Sequence, residues 1–192
     1  MTRIIVGGVV GGVVIFFWGF VSHMLLPLGE MGLKSIPSED GVAAAIRKDV
    51  QEPGLYMLPG WDMSRPQTSE DMEAHQAKAA KGPYGFMVLY PGGRDFSMGK
   101  RLGIELATNV ACALLAAVIA SQLRPGFLVR VGCVTLIGLL ASIATLVPYW
   151  NWYGYPTDFT LAQIAEHVVG WLLAGLALAI LLRPSRPAPA GA

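Results

Sequence analysis

The sequence predicts an all-α membrane protein: a four-transmembrane-helix bundle with a small α/β extracytoplasmic insertion between helices 1 and 2. Three observations support this fold. Of the 192 residues, 54% are hydrophobic and 14% are charged, whereas about a quarter are charged in an ordinary soluble domain. The apolar residues are concentrated in four long stretches that are almost uncharged. Most of the charged residues lie between the first and second stretches, which indicates that this segment is outside the membrane.

The first apolar stretch covers residues 4–28 and contains no Asp, Glu, Lys or Arg. About 20 apolar residues are enough to cross a bilayer. A cleaved signal peptide is the competing interpretation, because Arg3 precedes the stretch. Signal peptides, however, have apolar regions of about 7–15 residues and end at a small-residue cleavage site. This stretch is longer and ends in Met-Leu-Leu-Pro-Leu, so we predict a retained transmembrane helix within residues 1–28.

Three further stretches predict transmembrane helices 2–4, at residues 102–123, 127–150 and 161–182 of the segment 102–183. An Arg-Pro pair follows the second and the fourth stretch. Proline has no backbone N–H to donate to the preceding turn and therefore tends to end a helix. The tail, residues 184–192, is rich in proline and is predicted to be disordered and cytoplasmic.

The distribution of arginine predicts the orientation. Lys and Arg in short loops favour the cytoplasmic side, and the loop at residues 149–160 has neither. We therefore predict a multi-pass protein of the bacterial inner membrane with both termini cytoplasmic and residues 29–101 extracytoplasmic. Lys100 and Arg101 beside the second helix oppose this orientation. The arginines that fall on the cytoplasmic side are Arg3, Arg124, Arg130, Arg183 and Arg186.

Residues 29–101 are predicted to fold as a small α/β domain in the order helix, strand, helix, strand. Ser38 and the two acidic residues after it predict the start of a helix that covers residues 42–50. Thr68 begins a second predicted helix that continues to Lys81. The strands are predicted at residues 55–58 and 86–90. A core this small is marginal by itself, so we expect the domain to pack on the bundle or on a partner.

Two patterns in the apolar part predict packing and anchoring. Four glycines of the first helix are spaced by four residues, which lets another helix approach closely; an interface with a partner and packing inside the bundle both remain open. Five aromatic residues follow the third helix, and Trp and Tyr favour the headgroup zone. An interfacial anchor is the leading interpretation, and a ligand-binding mouth is the alternative. The glycines are Gly7, Gly8, Gly11 and Gly12, and the aromatic residues are Tyr149, Trp150, Trp152, Tyr153 and Tyr155.

Six polar residues are predicted to lie at one depth, near the outer ends of three helices. Ionisable side chains inside a membrane are costly and usually face a partner or a cavity. One interpretation is structural hydrogen bonding. A second is ligation of haem or a metal by two histidines, and a third is a proton or solute path through two glutamates of a small dimeric transporter. The six are His23 from the first helix, Glu105 and Asn109 from the second, and Gln163, Glu166 and His167 from the fourth.

In the haem or metal interpretation the ligands are His23 and His167, with Glu105 or Glu166 as a further metal ligand, and in the transporter interpretation the path uses those two glutamates. The identity of any metal is left unknown, and no cofactor is the leading expectation. Ser22 precedes His23 in the sequence, but neighbours on an α-helix point about 100° apart, so the two are not predicted to form a nucleophile pair.

The leading functional hypothesis is a non-catalytic structural or accessory subunit of a membrane complex. No Cys-x-x-Cys, His-Glu-x-x-His or Gly-x-Ser-x-Gly motif occurs, so no catalytic residue is predicted. The net charge of +1 argues against a nucleic-acid partner. The expected partners are membrane lipid and either a second copy of the chain or another membrane subunit.

Four segments carry a resemblance to a known family. They are the glycine pairs with Phe17-Trp18-Gly19, and residues 37–45, 54–59 and 148–154. In these segments the chain resembles a family of bacterial four-span inner-membrane proteins defined by a domain of unknown function. The resemblance implies the four-span fold and a location in the inner membrane. It brings no known catalytic residues, so it assigns no site.

Overall fold

The computed structural model describes residues 1–123 and 126–182, which are mostly helical. Predictions that concern Arg124, Arg183, Arg186 and the tail at 184–192 lie outside these residues. In chain order the elements are α1 (Thr2–Phe20), a π-helical turn (Val21–Leu25), a 3-10 turn (Pro27–Gly29), α2 (Glu39–Asp49), β1 (Gly54–Leu58), α3 (Ser69–Lys81), β2 (Gly85–Leu89), α4 (Met98–Ser121), α5 (Phe127–Tyr153) and α6 (Thr157–Leu181).

Four helices are long and apolar enough to cross a membrane: α1 with its π-helical turn, α4, α5 and α6. They contain 24, 24, 27 and 25 residues, and about 20 are needed to span the apolar layer of a bilayer. The predicted four long apolar helices, with a small sheet between the first two, are therefore confirmed. The chain has the coarse fold that the sequence predicts: long apolar helices and one small sheet.

The predicted ends of the first two long helices were wrong by several residues. The first helical span ends at Leu25 rather than at residue 28, because Leu26 is extended, with φ −110° and ψ 153°, before Pro27. Proline disfavours helical backbone at the residue that precedes it. The second begins at Met98 rather than at residue 102, because the Ser97 side chain accepts a hydrogen bond from the Lys100 backbone and caps it.

The third helix is also longer than predicted and the fourth begins earlier. Helix α5 continues through Pro148 to Tyr153, and α6 begins just after Pro156. The loop predicted at residues 149–160 is therefore only residues 154–156. A proline inside a long apolar helix is tolerated because neighbouring groups can satisfy the backbone carbonyl that it frees. Gly154, with φ +71°, ends the helix instead, in the left-handed backbone that glycine adopts without strain.

The chain divides into two compact units. The first, called here the helical unit, comprises Met1–Leu33, Ser97–Trp150 and Pro156–Ala192. The second, called here the inserted unit, comprises Lys34–Phe96 together with Asn151–Tyr155. The inserted unit is thus built from two separate parts of the chain.

In the helical unit, α1 packs tightly against α4 through two of the predicted packing glycines. A Cβ atom on residue 8 would lie 2.7 Å from the Leu114 Cα atom, and one on residue 12 would lie 2.6 Å from the Val110 backbone nitrogen. Backbone atoms cannot move aside as a flexible side chain can. Gly8 and Gly12 therefore permit the close approach of these two helices, as the spacing of four predicts.

Of the other two glycines, Gly7 faces α6, and Gly11 lies between α6 and α4, where a Cβ atom would be 3.3 Å from Ala113. A Cβ atom on Gly7 would lie 3.0 Å from Leu178, and one on Gly11 would lie 3.6 Å from the same side chain. All four glycines are buried within the chain, so they form an internal packing seam rather than a free surface. Of the two interpretations that the sequence leaves open for them, packing inside the bundle is the one observed.

The inserted unit contains a two-stranded antiparallel sheet and two helices, in the predicted order. Gly54 of β1 pairs with Leu89 of β2, and the register continues to Leu58 opposite Gly85. Helix α3 begins with the predicted Thr68 cap. None of the residues in 34–96 is buried. This unit consequently has no apolar core of its own, which agrees with its small size.

Candidate functional site

The site is centred on Glu166, a buried carboxyl group on α6. Among the described residues it is the one buried acidic side chain, with 8% of its surface exposed. It lies in a stripe of buried residues spaced by four along α6, between Ala162 and Gly170 and continuing to Ala174. Small residues at this spacing bring a second helix close to the glutamate. The same periodicity that packs α6 therefore points Glu166 inward.

Three side chains of the first helical span contact Glu166. The Ser22 hydroxyl donates a hydrogen bond to Glu166 Oε1 over 2.6 Å, and His23 Nε2 lies 3.1 Å from the same oxygen. The Trp18 indole N–H donates to the Glu166 backbone carbonyl over 2.9 Å. We call these four residues the polar clasp, because they join α1 and its π-helical turn to α6.

The π-helical turn explains how two neighbouring residues reach one oxygen. Val21–Leu25 is wound more widely than an α-helix, and the Leu26 backbone N–H donates to the Val21 carbonyl over 3.0 Å. Such turns are rare and often mark functional sites. The α-helical geometry assumed in the sequence analysis does not hold here, because the helix changes type at this point and both side chains reach Glu166 Oε1. That Ser22 and His23 form no nucleophile pair stays a prediction.

The His23 ring is held between Glu166 and a glycine. One ring nitrogen, Nε2, faces Glu166, and the other, Nδ1, lies so close to Gly29 that a Cβ atom there would collide with it. The side chain is 50% exposed, while that of Glu166 is 10% exposed. His23 is thus the part of the clasp that reaches the surface of the protein.

The second carboxyl oxygen of Glu166 differs from the first. Oε1 receives Ser22 and His23, whereas Oε2 is buried and has no hydrogen-bond partner. A buried polar atom normally finds a partner, and leaving a neutral one unsatisfied costs about 1–3 kcal/mol, with a higher cost for a charged one. The asymmetry between the two oxygens is therefore the main chemical feature of the site.

The structure places the other predicted cluster residues in two local pairs. Asn109 donates to Glu105 Oε1 over 3.2 Å, one turn apart on α4 and on an exposed surface. His167 Nδ1 lies 2.8 Å from the Gln163 carbonyl oxygen, one turn earlier on α6. Of the six residues predicted at one depth, His23 and Glu166 are thus brought into contact across helices. The other four hydrogen-bond within their own helix.

The histidines do not fit the haem hypothesis well. An axial ligand offers a free ring nitrogen to the iron, but in His23 one nitrogen faces a carboxylate oxygen and the other packs on Gly29. In His167, Nδ1 is engaged with the backbone of its own helix, an arrangement that is usual for a ligating histidine, so the misfit concerns His23. Across residues 1–123 and 126–182, no group of three or more His, Cys, Asp or Glu side chains is arranged to hold a metal ion.

The aromatic residues at the end of the third long helix, α5, have contacts of two kinds. The Trp150 indole N–H donates to the Thr157 hydroxyl over 3.1 Å and so joins the adjacent ends of α5 and α6. Within the inserted unit, Tyr153 stacks on Phe86 with ring centroids 4.7 Å apart. Trp152 accepts a hydrogen bond from the Tyr84 hydroxyl through its backbone carbonyl over 3.2 Å. Anchoring in a lipid interface stays a prediction.

Arg130 is a buried residue whose structural role the sequence did not reveal. It appears in the sequence as one more arginine of the predicted cytoplasmic side. In the structure it is 6% exposed, and its Nη1 donates to the Leu182 carbonyl at the end of α6 over 3.1 Å. Its position one turn inside the apolar stretch is the signal that could have identified it, since carbonyl groups at helix ends lack partners within the helix.

Comparisons of the chain with protein-family models, with curated proteins and with solved structures find no match. The interpretation of the site therefore depends on its own geometry.

Proposed function

We propose that this chain is a multi-pass protein of the bacterial inner membrane and a non-catalytic structural or accessory subunit of a membrane complex. The observation that carries the proposal is the polar clasp. The buried carboxyl group directs one oxygen to two donors of the same chain. Hydrogen bonds across helices stabilise bundles in lipid, where each contributes about 0.6–2 kcal/mol. Ser22, His23 and Glu166, the side chains that could take part in a reaction, contact one another across two helices.

The resemblance to inner-membrane proteins of unknown function supports the same class. In this proposal the two termini are cytoplasmic and the inserted unit is extracytoplasmic. Reporter fusions test the orientation: one at Gln76 in α3 should report the extracytoplasmic side, and one at the C-terminus should report the cytoplasm. A cytoplasmic result at Gln76 would reverse the topology and would agree with Lys100 and Arg101 beside the second span.

The redox and transporter hypotheses have less support. Ligation of haem by His23 and His167 needs the Glu166 and Gly29 contacts to be released. A path that uses Glu105 and Glu166 joins an exposed pair on α4 to a buried clasp on α6. Neither glutamate has the other as its hydrogen-bond partner. Both hypotheses remain distinguishable from the leading one by experiment.

Native mass spectrometry from mild detergent tests the proposal. We expect an assembly heavier than one 20.5 kDa chain, held together by a second copy or by another membrane subunit in fixed ratio. A single chain with lipid alone would contradict the subunit hypothesis. The absorption spectrum of the same sample tests the redox alternative: a Soret band lost in both His23→Ala and His167→Ala would establish a haem, and we expect none.

A further inference from the structure

We propose that the inserted unit completes its sheet with a second copy of this chain. In this dimer, β1 pairs antiparallel with β1 of the second copy, and the strands form one sheet in the order β2-β1-β1-β2. The surface that binds the partner is the outer edge of β1, residues Gly54–Leu58. This pairing rests on the proposed role as a subunit of a membrane complex, and it names both the partner and the interface.

The sheet of the inserted unit is too small to be stable by itself. Within the described residues it consists of two strands of five residues each. A two-stranded sheet is marginal in water, and three or more strands with an apolar face are needed for independent stability. No residue in 34–96 is buried, so no apolar core inside the unit compensates. Additional strands would supply the missing stability.

Both outer edges of this sheet are open to pairing. Apart from the ladder between β1 and β2, the residues of the two strands make no backbone–backbone hydrogen bond to any described part of the chain. An open edge is a template for a further strand, and proteins usually protect it with charged residues or proline. The two strands, Gly-Leu-Tyr-Met-Leu and Gly-Phe-Met-Val-Leu, contain neither.

The edge of β1 is freer than the edge of β2. Two of the five residues of β1 are exposed, against one of the five in β2. Residues 151–155, which belong to the same unit, contact the chain at β2: Tyr153 stacks on Phe86, and the Tyr84 hydroxyl just before β2 donates to the Trp152 carbonyl. The strand without such a neighbour is β1, so we assign the interface to its edge.

The prolines that flank β1 define the register of the pairing. Pro53 precedes the strand and Pro59 follows it, and proline cannot donate to a ladder. The pairing that uses all five residues of both strands places Tyr56 opposite the same residue of the second copy, with Leu55 opposite Met57. Any other register pairs fewer residues or brings a proline into the ladder.

The pairing also extends an apolar face of the sheet. Within the chain, Leu55 lies opposite Val88 and Met57 lies opposite Phe86, and residues directly opposite each other share a face. In the dimer these four side chains meet the same four of the second copy across the β1–β1 contact. Leu55, which is 66% exposed in the single chain, then has an apolar neighbour on each side.

A second copy of β1 is a complementary partner for this edge. Tyrosine lies opposite tyrosine, and leucine lies opposite methionine. Aromatic cross-strand pairs stabilise a sheet, whereas like charges directly opposite destabilise it, and β1 carries no charge. Two copies in one membrane also insert in the same orientation, so their inserted units lie on the same side. A two-fold interface uses the same surface of both copies, so pairing through β1 ends at a dimer.

Disulfide cross-linking of the full chain in liposomes tests the pairing. The two native cysteines, Cys112 and Cys133, are first replaced by alanine. Tyr56→Cys should then cross-link two copies, because directly opposite Cα atoms lie about 4.5–5.5 Å apart and a disulfide needs about 4.4–6.8 Å. Met87→Cys is the matched control, since Met87 lies opposite Tyr56 within the chain. In the dimer two such positions are three strand spacings apart, about 14 Å, which is too far.

A charge on the edge strand gives a second, independent readout. Leu55→Lys should weaken dimerisation about 10-fold, because both copies lose the leucine–methionine pair and gain like charges near each other. Val88→Lys is the control: Val88 lies directly opposite Leu55 and is similarly exposed, at 60% against 66%, but it belongs to the other strand. Native mass spectrometry at several protein concentrations measures the dimer. Equal weakening by the two variants would overturn pairing through β1.

The outcomes separate this pairing from the proposed function. Cross-linking in Tyr56→Cys but not in Met87→Cys supports the pairing, and cross-linking in Met87→Cys would overturn it. An assembly in which Tyr56→Cys fails to cross-link, or cross-links to a different polypeptide, would also overturn the pairing while the subunit hypothesis stands. A single chain with lipid alone would contradict the subunit hypothesis itself, and the pairing with it.

Discussion

Glu166 in the helical unit and Asp71 in the inserted unit show how differently the two units use a carboxylate. Asp71 accepts hydrogen bonds at both oxygens: from Arg65 Nη1 and Nη2 over 2.7 and 2.8 Å, and from the Thr68 backbone N–H over 2.9 Å. Glu166 receives donors at one oxygen and has none at the other. The better-satisfied group is partly exposed, with 26% of its side chain accessible, and the poorly satisfied one is buried.

The comparison indicates that the burial of a carboxylate, rather than its number of hydrogen bonds, determines how much its contacts affect stability. Water reaches the partly exposed Asp71 and screens its ion pair, so those contacts stabilise the start of α3 and contribute little to the stability of the whole unit. Glu166 lies between packed helices. In these surroundings a hydrogen bond that is made, or one that is missing, changes the free energy of folding by more than it does in water. The inserted unit also has no buried residue in 34–96, whereas the helical unit depends on contacts between small buried residues.

The largest expected effect tests the packing of the helical unit. In Gly12→Ala the new Cβ atom would lie 2.6 Å from the Val110 backbone nitrogen, and such overpacking costs about 1–3 kcal/mol. Gly19→Ala is the matched control, because a Cβ atom there meets nothing within 4 Å. Thermal unfolding in detergent should separate the two. Equal melting of both variants would show that the α1–α4 seam does not carry the stability of this unit.

The next effect tests the bond between helices. Ser22→Ala removes the 2.6 Å hydrogen bond to Glu166 and should lower stability by about 0.6–2 kcal/mol. Ser142→Ala is the control, because that buried hydroxyl donates to the Gly138 carbonyl of its own helix. We expect the control to melt close to the parent. If the two variants lose the same stability, the clasp is worth no more than a hydrogen bond within one helix.

A smaller effect tests the placement of His23. In Gly29→Ala the new methyl group would collide with the His23 ring, and the half-exposed ring can rotate away at little cost. We expect the variant to remain folded but to lose the His23–Glu166 contact, with a loss of stability of about 1 kcal/mol or less. Gly29→Ala should therefore behave like His23→Ala, and the double variant should add nothing further. Additive effects would show that Gly29 and His23 are independent.

The smallest effect lies in the inserted unit. Arg65, and then Thr68, lower the pKa of Asp71 below its usual value of 3.8. A lowered pKa contributes stability that is fully present above about pH 4 and is lost as the pH falls through the lowered value. Asp71→Asn should therefore remove some helical circular dichroism at neutral pH, with no change in the melting of the helical unit, and should converge with the parent in acid. If Asp71→Asn lowered the melting temperature of the helical unit at neutral pH, the contrast between the two carboxylates would be wrong.

The elements of the fold could be predicted because length, hydropathy and capping residues act locally. Thr68 predicts its helix start, and the four apolar stretches predict four long helices. The loop at residues 149–160 was predicted too long because proline and aromatic residues usually favour loops, whereas inside an apolar helix Pro148 is accommodated.

The site could be predicted only in part, because it depends on the rotation of each helix about its own axis. Depth along the helices placed His23 and Glu166 in one group with four other polar residues, without pairing them. Depth alone could not tell which of Glu166 and His167 points inward, although the small residues Ala162, Gly170 and Ala174 carry that information. The role of Ser22 could not be predicted at all, since it requires a π-helical turn that an α-helical period does not anticipate.

The two-part construction of the inserted unit has a consequence for the order of synthesis. Phe86 emerges from the ribosome long before Tyr153, the residue on which it stacks. The unit lacks residues 151–155 until two more membrane-length helices, α4 and α5, have been made. At about 5–20 residues per second, the 59 residues from Phe96 to Tyr155 take about 3–12 s to translate. During this interval the sheet is accessible to the chaperones and proteases of its compartment. The inserted unit can be completed only after α5, the third long helix, has been synthesised.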